Sequence, residues 1–230
     1  MNWDGLLAYR LGMVNNNGQH AAAASPARKV IMETQDSLLA FWFGESDDDA
    51  QTAATQAALW WGKSTDTDAT IRQRFAPLLP AARKGELNHW CTSPRGALAL
   101  ILLTDQIPRN SYRGTADAFA FDDIALALCR QGLAAGQDRA LRPVERVFFY
   151  LPLEHAEDPA RQAHSVQLFR ELADAVPTAQ QAVFEPFADY ALRHQAVITR
   201  FGRFPHRNAI LGRASSTEES AFLAQPGSSF

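Results

Sequence analysis

The chain has 230 residues, 47% hydrophobic and 20% charged, a composition that suits an ordinary globular protein with one sizeable core or two small ones. Its formal charge of −3 speaks against a nucleic-acid footprint, which is normally basic. No apolar run reaches the roughly 18–20 residues a membrane span needs, and no long apolar stretch follows Arg10 as it would in a secretory leader, so a cytoplasmic protein with neither a nucleic-acid nor a membrane partner is expected.

Residues 1–34 are weakly patterned, with Asn15-Asn16-Asn17-Gly18 and the alanines 21–24, and read as a mobile extension. A single all-helical domain is expected over 35–224, with a loose tail over 225–230. Gln35 to Phe43 reads as a short helix stopped by Gly44. Asp47–Asp49 open a second, ending near Trp60-Trp61-Gly62. Asp66 or Thr67 caps a third, with Ile71, Phe75, Leu78 and Leu79 on one face, and Pro80 kinks or ends it. Ser93-Pro94 is a cap followed by a first-turn proline; it opens the run Gly96 to Gln106, whose apolar stretch Ala97–Leu103 suits a core helix. Thr115 caps the next helix, to about Gly132 or Gly136. Pro143 opens another through Phe148, Phe149 and Tyr150. After Asp158-Pro159, Val166, Phe169, Leu172 and Val176 keep helical spacing. Pro177-Thr178 then begins a long helix to about Phe201, kinked near Pro186, and Thr217-x-Glu219 starts a short terminal one. Alternating strand patterns are nearly absent, and no strict 34-residue repeat occurs. Helices joined by short loops pack as neighbours, so helical hairpins in irregular array are expected. Cys91 and Cys129 lie in apolar helical stretches and read as buried thiols.

Several runs carry a family resemblance: Phe41-Trp42-Phe43-Gly44, Trp60-Trp61, Pro94-Arg95-Gly96-Ala97-Leu98, Asp105-Gln106-Ile107-Pro108-Arg109-Asn110, the segment from Glu145 through Leu151-Pro152-Leu153-Glu154-His155, and Phe201-Gly202-Arg203-Phe204-Pro205-His206-Arg207-Asn208. In this order they resemble the DUF924 family, uncharacterised proteins with a tetratricopeptide-like helical fold, over about residues 37–224. The resemblance implies an all-α, α-α superhelix of stacked helical hairpins. It implies no activity, substrate or cofactor.

The chemically informative feature is helical phase. Leu98, Ile101, Leu102 and Asp105 share one face by three-and-four spacing. Val147, Tyr150, Leu151 and Glu154 share another, and Phe184, Phe187, Ala191, His194, Ile198 and Phe201 a third. Asp105, Glu154 and His194 thus interrupt apolar stripes, and a buried carboxylate needs partners. Two accounts stay open. In one, the three are internal ties: Asp105 to Arg109 at i, i+4, and Glu154 to an arginine of the 203–207 loop. In the other they form a pocket floor, with Asp105, Glu154 and His194 as acid/base groups. Arg109, Asn110, His155, Arg203, His206, Arg207 and Asn208 would then bind an anionic small molecule, and Trp60 and Trp61 would supply flat walls or ordinary core packing.

No phosphate-cradling glycine loop, Gly-x-Ser-x-Gly elbow or His-Glu-x-x-His motif occurs. Glu154, His155 and His194 make a poor metal set, because neighbours 154 and 155 point roughly 100° apart on a helix; no metal is assigned, and the cofactor is left open. The expected function is a small-molecule, anion-binding site with acid/base chemistry; the competing expectation is a helical scaffold that binds a peptide or protein.

Overall fold

A computed structural model describes residues 33–228, so the mobility expected of residues 1–32 and 229–230 lies outside the described residues. Every regular element among the described residues is helical. In chain order the α-helices are α1 (Gln35–Phe43), α2 (Asp49–Trp61), α3 (Thr65–Phe75), α4 (Leu79–Arg83), α5 (Pro94–Ser111), α6 (Asp122–Ala134), α7 (Pro143–Glu154), α8 (Pro159–Ala175), α9 (Thr178–Phe201) and α10 (Thr217–Leu223). Short 3₁₀ turns join several of them. None is long and apolar enough to cross a membrane.

Caps account for most starts. Thr34, Asp48, Ser64, Ser93, Asp158 and Ser216 each accept a first-turn amide hydrogen on a side-chain oxygen, which satisfies a donor that has no partner inside the helix. Thr34 therefore belongs to α1 as its cap, and Glu33 is tied to Arg74 at 2.7 Å. The cap of α3 is Ser64, two or three residues ahead of the expected Asp66 or Thr67. Pro80 neither kinks nor ends α3 but sits in the first turn of α4, where a missing N–H costs nothing. Thr115 precedes a 3₁₀ turn (Ala116–Phe119), and α6 begins later, with Asp122 and Asp123 in its first turn.

The central element is α5. Gly96 through Pro108 are all buried, and α1, α3, α4, α6 and α7 pack around it. From Ala97 to Leu103 its sequence is apolar all round, as suits a helix enclosed on every side. It runs five residues beyond the expected end, straight through Pro108. Tertiary enclosure holds those last turns, and so do two side chains that bond back to them: Arg109 Nη1 donates to the Asp105 carbonyl at 2.9 Å and Asn110 Nδ2 to that of Gln106 at 2.9 Å. Next to α5, α6 crosses α7 closely at Gly132, where an added Cβ would lie 2.4 Å from the Phe149 ring. The last pair, α8 and α9, forms a hairpin across Val176-Pro177, and α9 passes Pro186 and stops at Gly202 in the left-handed region (φ 69°), a conformation glycine adopts without steric cost.

Candidate functional site

Two helix C-termini meet at one end of the core. The last turns of α5 carry Asp105, Gln106 and Arg109; the end of α7 carries Glu154, with His155 as its C-cap. α7 stops here because α8 starts at once, and because Gln162 of α8 reaches back: its Nε2 donates to the carbonyls of Glu154 (2.6 Å) and Ala156 (2.8 Å), two acceptors a helix end leaves unbonded.

Asp105 is buried, and every oxygen of its carboxylate is engaged. Oδ1 accepts from His155 Nδ1 at 2.7 Å and lies 3.1 Å from Arg109 Nη1; Oδ2 accepts from Gln106 Nε2 at 2.6 Å. Burial pushes its pKa up, but Arg109, His155 and these hydrogen bonds outweigh that and hold the carboxyl well below the usual range. An ionised carboxylate can only accept, so His155 carries its proton on Nδ1. Burial and the Arg109 charge lower the His155 pKa below its ordinary 6.5, so the ring is neutral at pH 7, with the lone pair on Nε2. Among the described residues no protein group bonds that nitrogen.

A hollow of about 340 Å³ opens beside the ring, lined by His155, Arg207, Asp122, Asp123, Glu157 and Asp158, with Leu126, Pro152 and Ala156 as its apolar surface. Asp122 sits in the first turn of α6, where a carboxylate is favoured by the helix dipole. Arg109 grips it with Nη1 (2.8 Å) and Nη2 (3.0 Å), and Arg207 Nη1 adds a third bond at 3.3 Å. Arg207 is buried; its guanidinium lies between the rings of Phe119 and Phe204, 4.6 Å from each centroid, and its Nη2 donates to the His155 carbonyl. Burial and the neighbouring Arg109 lower its pKa to about 10, so it stays charged. Glu157 accepts from both Arg213 Nη atoms and from the Phe204 amide, which pins the loop after α9 against the hollow.

Glu154 and His194 form a separate buried pair. His194 Nδ1 donates to the Tyr190 carbonyl at 2.9 Å and lies 3.1 Å from Glu154 Oε1. Burial, then the Asp105 charge, pushes Glu154 up to about 8; burial pulls His194 down to about 3. Both are neutral at pH 7. The sequence-based pairing of Glu154 with a loop arginine is not what forms: Arg203 and Arg213 are taken bidentately by Glu219 and Glu157, and Arg207 Nη1 donates to Asp122. The pairing of Asp105 with Arg109 does form.

Of the residues singled out from sequence, His155 and Arg207 line the hollow, with Asp105 bonded to His155 and Arg109 beside Asp105. His194 stands behind them, its ring 6.4 Å from that of His155. His206 is mostly buried against Phe204, and burial lowers its pKa to about 4. The others lie elsewhere. Asn110 braces the end of α5 and accepts from Arg113. Arg203 faces α10, and Asn208 Nδ2 donates to Ser215. Trp60 and Trp61 pack around Phe148, two turns back along α7; Trp60 is buried and Trp61 half exposed, and neither lines the hollow, because α2 meets the opposite end of α7. Among the described residues no group of three or more His, Cys, Asp or Glu is placed to hold a metal. Cys129 is buried, whereas Cys91 is partly exposed; neither is in a disulfide.

Sequence reasoning passed over Asp122, Gln106 and Glu157. Asp122 reads as an ordinary first-turn acid, and its partners lie 13 and 85 residues away. Gln106 adjoins Asp105 and carries no periodic signal of its own.

A helical fold with a histidine–carboxylate pair at a small hollow is the setting in which the comparisons with known proteins fall. The family described as "Bacterial protein of unknown function (DUF924)" matches residues 38–227, and the chain belongs to that family. A solved structure, of a protein of unknown function from Agrobacterium tumefaciens, is 36% identical, covers 77% of this chain and 99% of its own, and superimposes with a TM-score of 0.64. No curated protein matches the chain.

Proposed function

We propose that the protein is an enzyme that binds a small anionic molecule in the hollow and uses His155 Nε2 as a general base and acid. The observation that carries this reading is the 2.7 Å bond from His155 Nδ1 to buried Asp105, on a ring that lines a 340 Å³ hollow. Asp105 is a positioning residue: it sets the tautomer and favours the imidazolium that forms once Nε2 has taken a proton. A neutral ring with a pKa below 6.5 is ready to accept that proton at pH 7. Arg207, charged and on the same lining, supports negative charge on the bound molecule. The reaction class is proton abstraction, or activation of water or a hydroxyl, within a site at the small end of the range for ligand pockets.

The role moves from the sequence-based trio to His155. Glu154 and His194 are neutral and lie 3.1 Å apart, with His194 Nδ1 donating to the Tyr190 carbonyl, which supports a bracing role for them. The test is a melting-temperature screen of small carboxylic and phosphorylated metabolites, followed by turnover assays on any that bind. A binder should be consumed by the wild type, with His155→Gln keeping the thermal shift and losing turnover by a factor on the order of 10²–10⁴. A library without binders, or turnover untouched in His155→Gln, would rule the reading out.

A scaffold reading has one observation in its favour: Trp61 and Tyr190 are each 50% exposed, and half-exposed aromatics are enriched where proteins meet partners. It predicts partner loss in Trp61→Ala and Tyr190→Ala with the hollow intact.

A further inference from the structure

Apart from its apolar patch and His155, the lining of the hollow carries acidic residues and, at one place, arginine. Asp123, Asp158 and Glu157, the last paired with Arg213, lie on this lining, so an anion is favoured only where guanidinium groups gather. That place is filled. Arg109 presents a planar fork to Asp122, two nearly parallel bonds of 2.8 and 3.0 Å, and Arg207 closes the third side at 3.3 Å. Phe119 lies under both guanidinium groups, 5.8 Å from Arg109 and 4.6 Å from Arg207. Two like charges are thereby held together, at a cost offset by the anion they share and by Asp105, 3.1 Å from Arg109. The anion present is a side chain, and it is reachable: Asp122 is 25% exposed, whereas the arginines around it are 16% and 8% exposed. It lies on the wall that His155 also lines.

We infer that the Arg109–Arg207 fork is a binding seat for the carboxylate of the ligand, and that Asp122 is its resident occupant, which the ligand must displace. The fork matches a flat two-oxygen group bidentately, the geometry arginine offers to carboxylates. In the free protein Asp122, together with Asp105 beside Arg109, balances the two arginines and keeps the loop after α9 in place. When a ligand carboxylate enters, Asp122 swings toward solvent and the incoming group lies beside His155. This deepens the proposed function, since it rests on the hollow being a ligand site, and it names the group recognised. It also explains how arginines already in ion pairs can take part in binding.

The test needs no reaction. Full-length wild type, Asp122→Ala and Asp122→Ala/Arg207→Gln are titrated with sodium acetate and, separately, with inorganic phosphate, against sodium chloride at equal ionic strength, by melting temperature and calorimetry. Asp122→Ala should show a saturable acetate response at least tenfold tighter than the wild type and tighter than its response to phosphate, and the double variant should lose it. A folded Asp122→Ala that responds to acetate no more than to chloride overturns the seat, and so does a preference for phosphate. If Asp122→Ala fails to fold, Asp122→Asn, which keeps the side-chain volume and removes the charge, carries the same comparison: saturable acetate binding supports the seat and none overturns it. His155→Gln should bind acetate like its parent, so failure of the acid/base reading and failure of the seat are told apart.

Discussion

The two ends of α7 each bury a carboxylate against cationic or imidazole partners, and only one end has the makings of a site. At the N-terminal end Asp49 of α2 takes Arg142 Nε and Nη2 on one oxygen, at 2.9 and 2.6 Å, and the Val144 amide lies 3.4 Å from the other. Arg142 also donates to the Ser46 carbonyl. At the C-terminal end Asp105 is as fully bonded, yet its partner His155 keeps a second nitrogen with no described protein partner, beside a hollow. Burial and satisfaction are common to both ends. What differs is whether the network terminates in a group able to exchange a proton with something that is not protein.

The largest expected effect that sharpens this contrast is in rate. Asp105→Asn keeps the shape of the side chain but lets His155 carry its proton on Nε2, and turnover of whatever substrate the screen finds should fall by a factor on the order of 10³–10⁴. Nitrogen chemical shifts of His155 should report the change of tautomer directly; an unchanged Nδ1–H form would break the link between Asp105 and function. At the other end, Asp49→Ala should cost about 3 kcal/mol of stability by leaving Arg142 and its tie to α2 unmatched, read by denaturant unfolding, with ligand affinity unaltered. If Asp49→Ala also weakened binding, the two ends would not be independent.

A smaller effect is in pH. Glu154 has a folded pKa of about 8 against an ordinary 4.5. The native state therefore holds that proton more tightly than the unfolded chain, and its contribution to stability falls as pH rises from about 4.5 to about 8. His194 and His206 are lowered from 6.5 to about 3 and about 4. The native state holds fewer of those protons, so their contributions are lost in acid and complete above pH 6.5. The opposed slopes put maximum stability near pH 6.5, with a decline of about 2 kcal/mol by pH 8. Glu154→Gln should flatten that decline, measured as melting temperature against pH; a decline of the same size in the variant would show that Glu154 is not its source. The smallest effect is expected from Trp61→Ala, about 1 kcal/mol, because the ring is half exposed and loses mainly its stacking on Phe148.

Helical phase in the sequence was enough to mark Asp105, Glu154 and His194 as polar groups on apolar faces, and all three are buried. It could not say which of them would face space. Glu154 and His155 are adjacent, so one turns toward α9 and His194 while the other turns toward Asp105; the spacing shows that they diverge but not what each meets. Asp122 escaped notice because a first-turn acid is commonplace until a guanidinium from a distant loop arrives on it. The extent of α5 was underestimated because Pro108 is a local stop signal, overridden by burial on all sides and by side chains that bond back to the final carbonyls.

By itself the sequence determined the helical class, several helix starts, such as those at Ser93-Pro94 and Asp158-Pro159, and the family, because those depend on local chemistry and on motifs read in order. The tertiary structure alone decided which ionisable groups cancel and which keep a vacant valence. Electrostatic pairing depends on distances of a few ångströms between residues as many as 93 positions apart, and no periodicity along a chain encodes that.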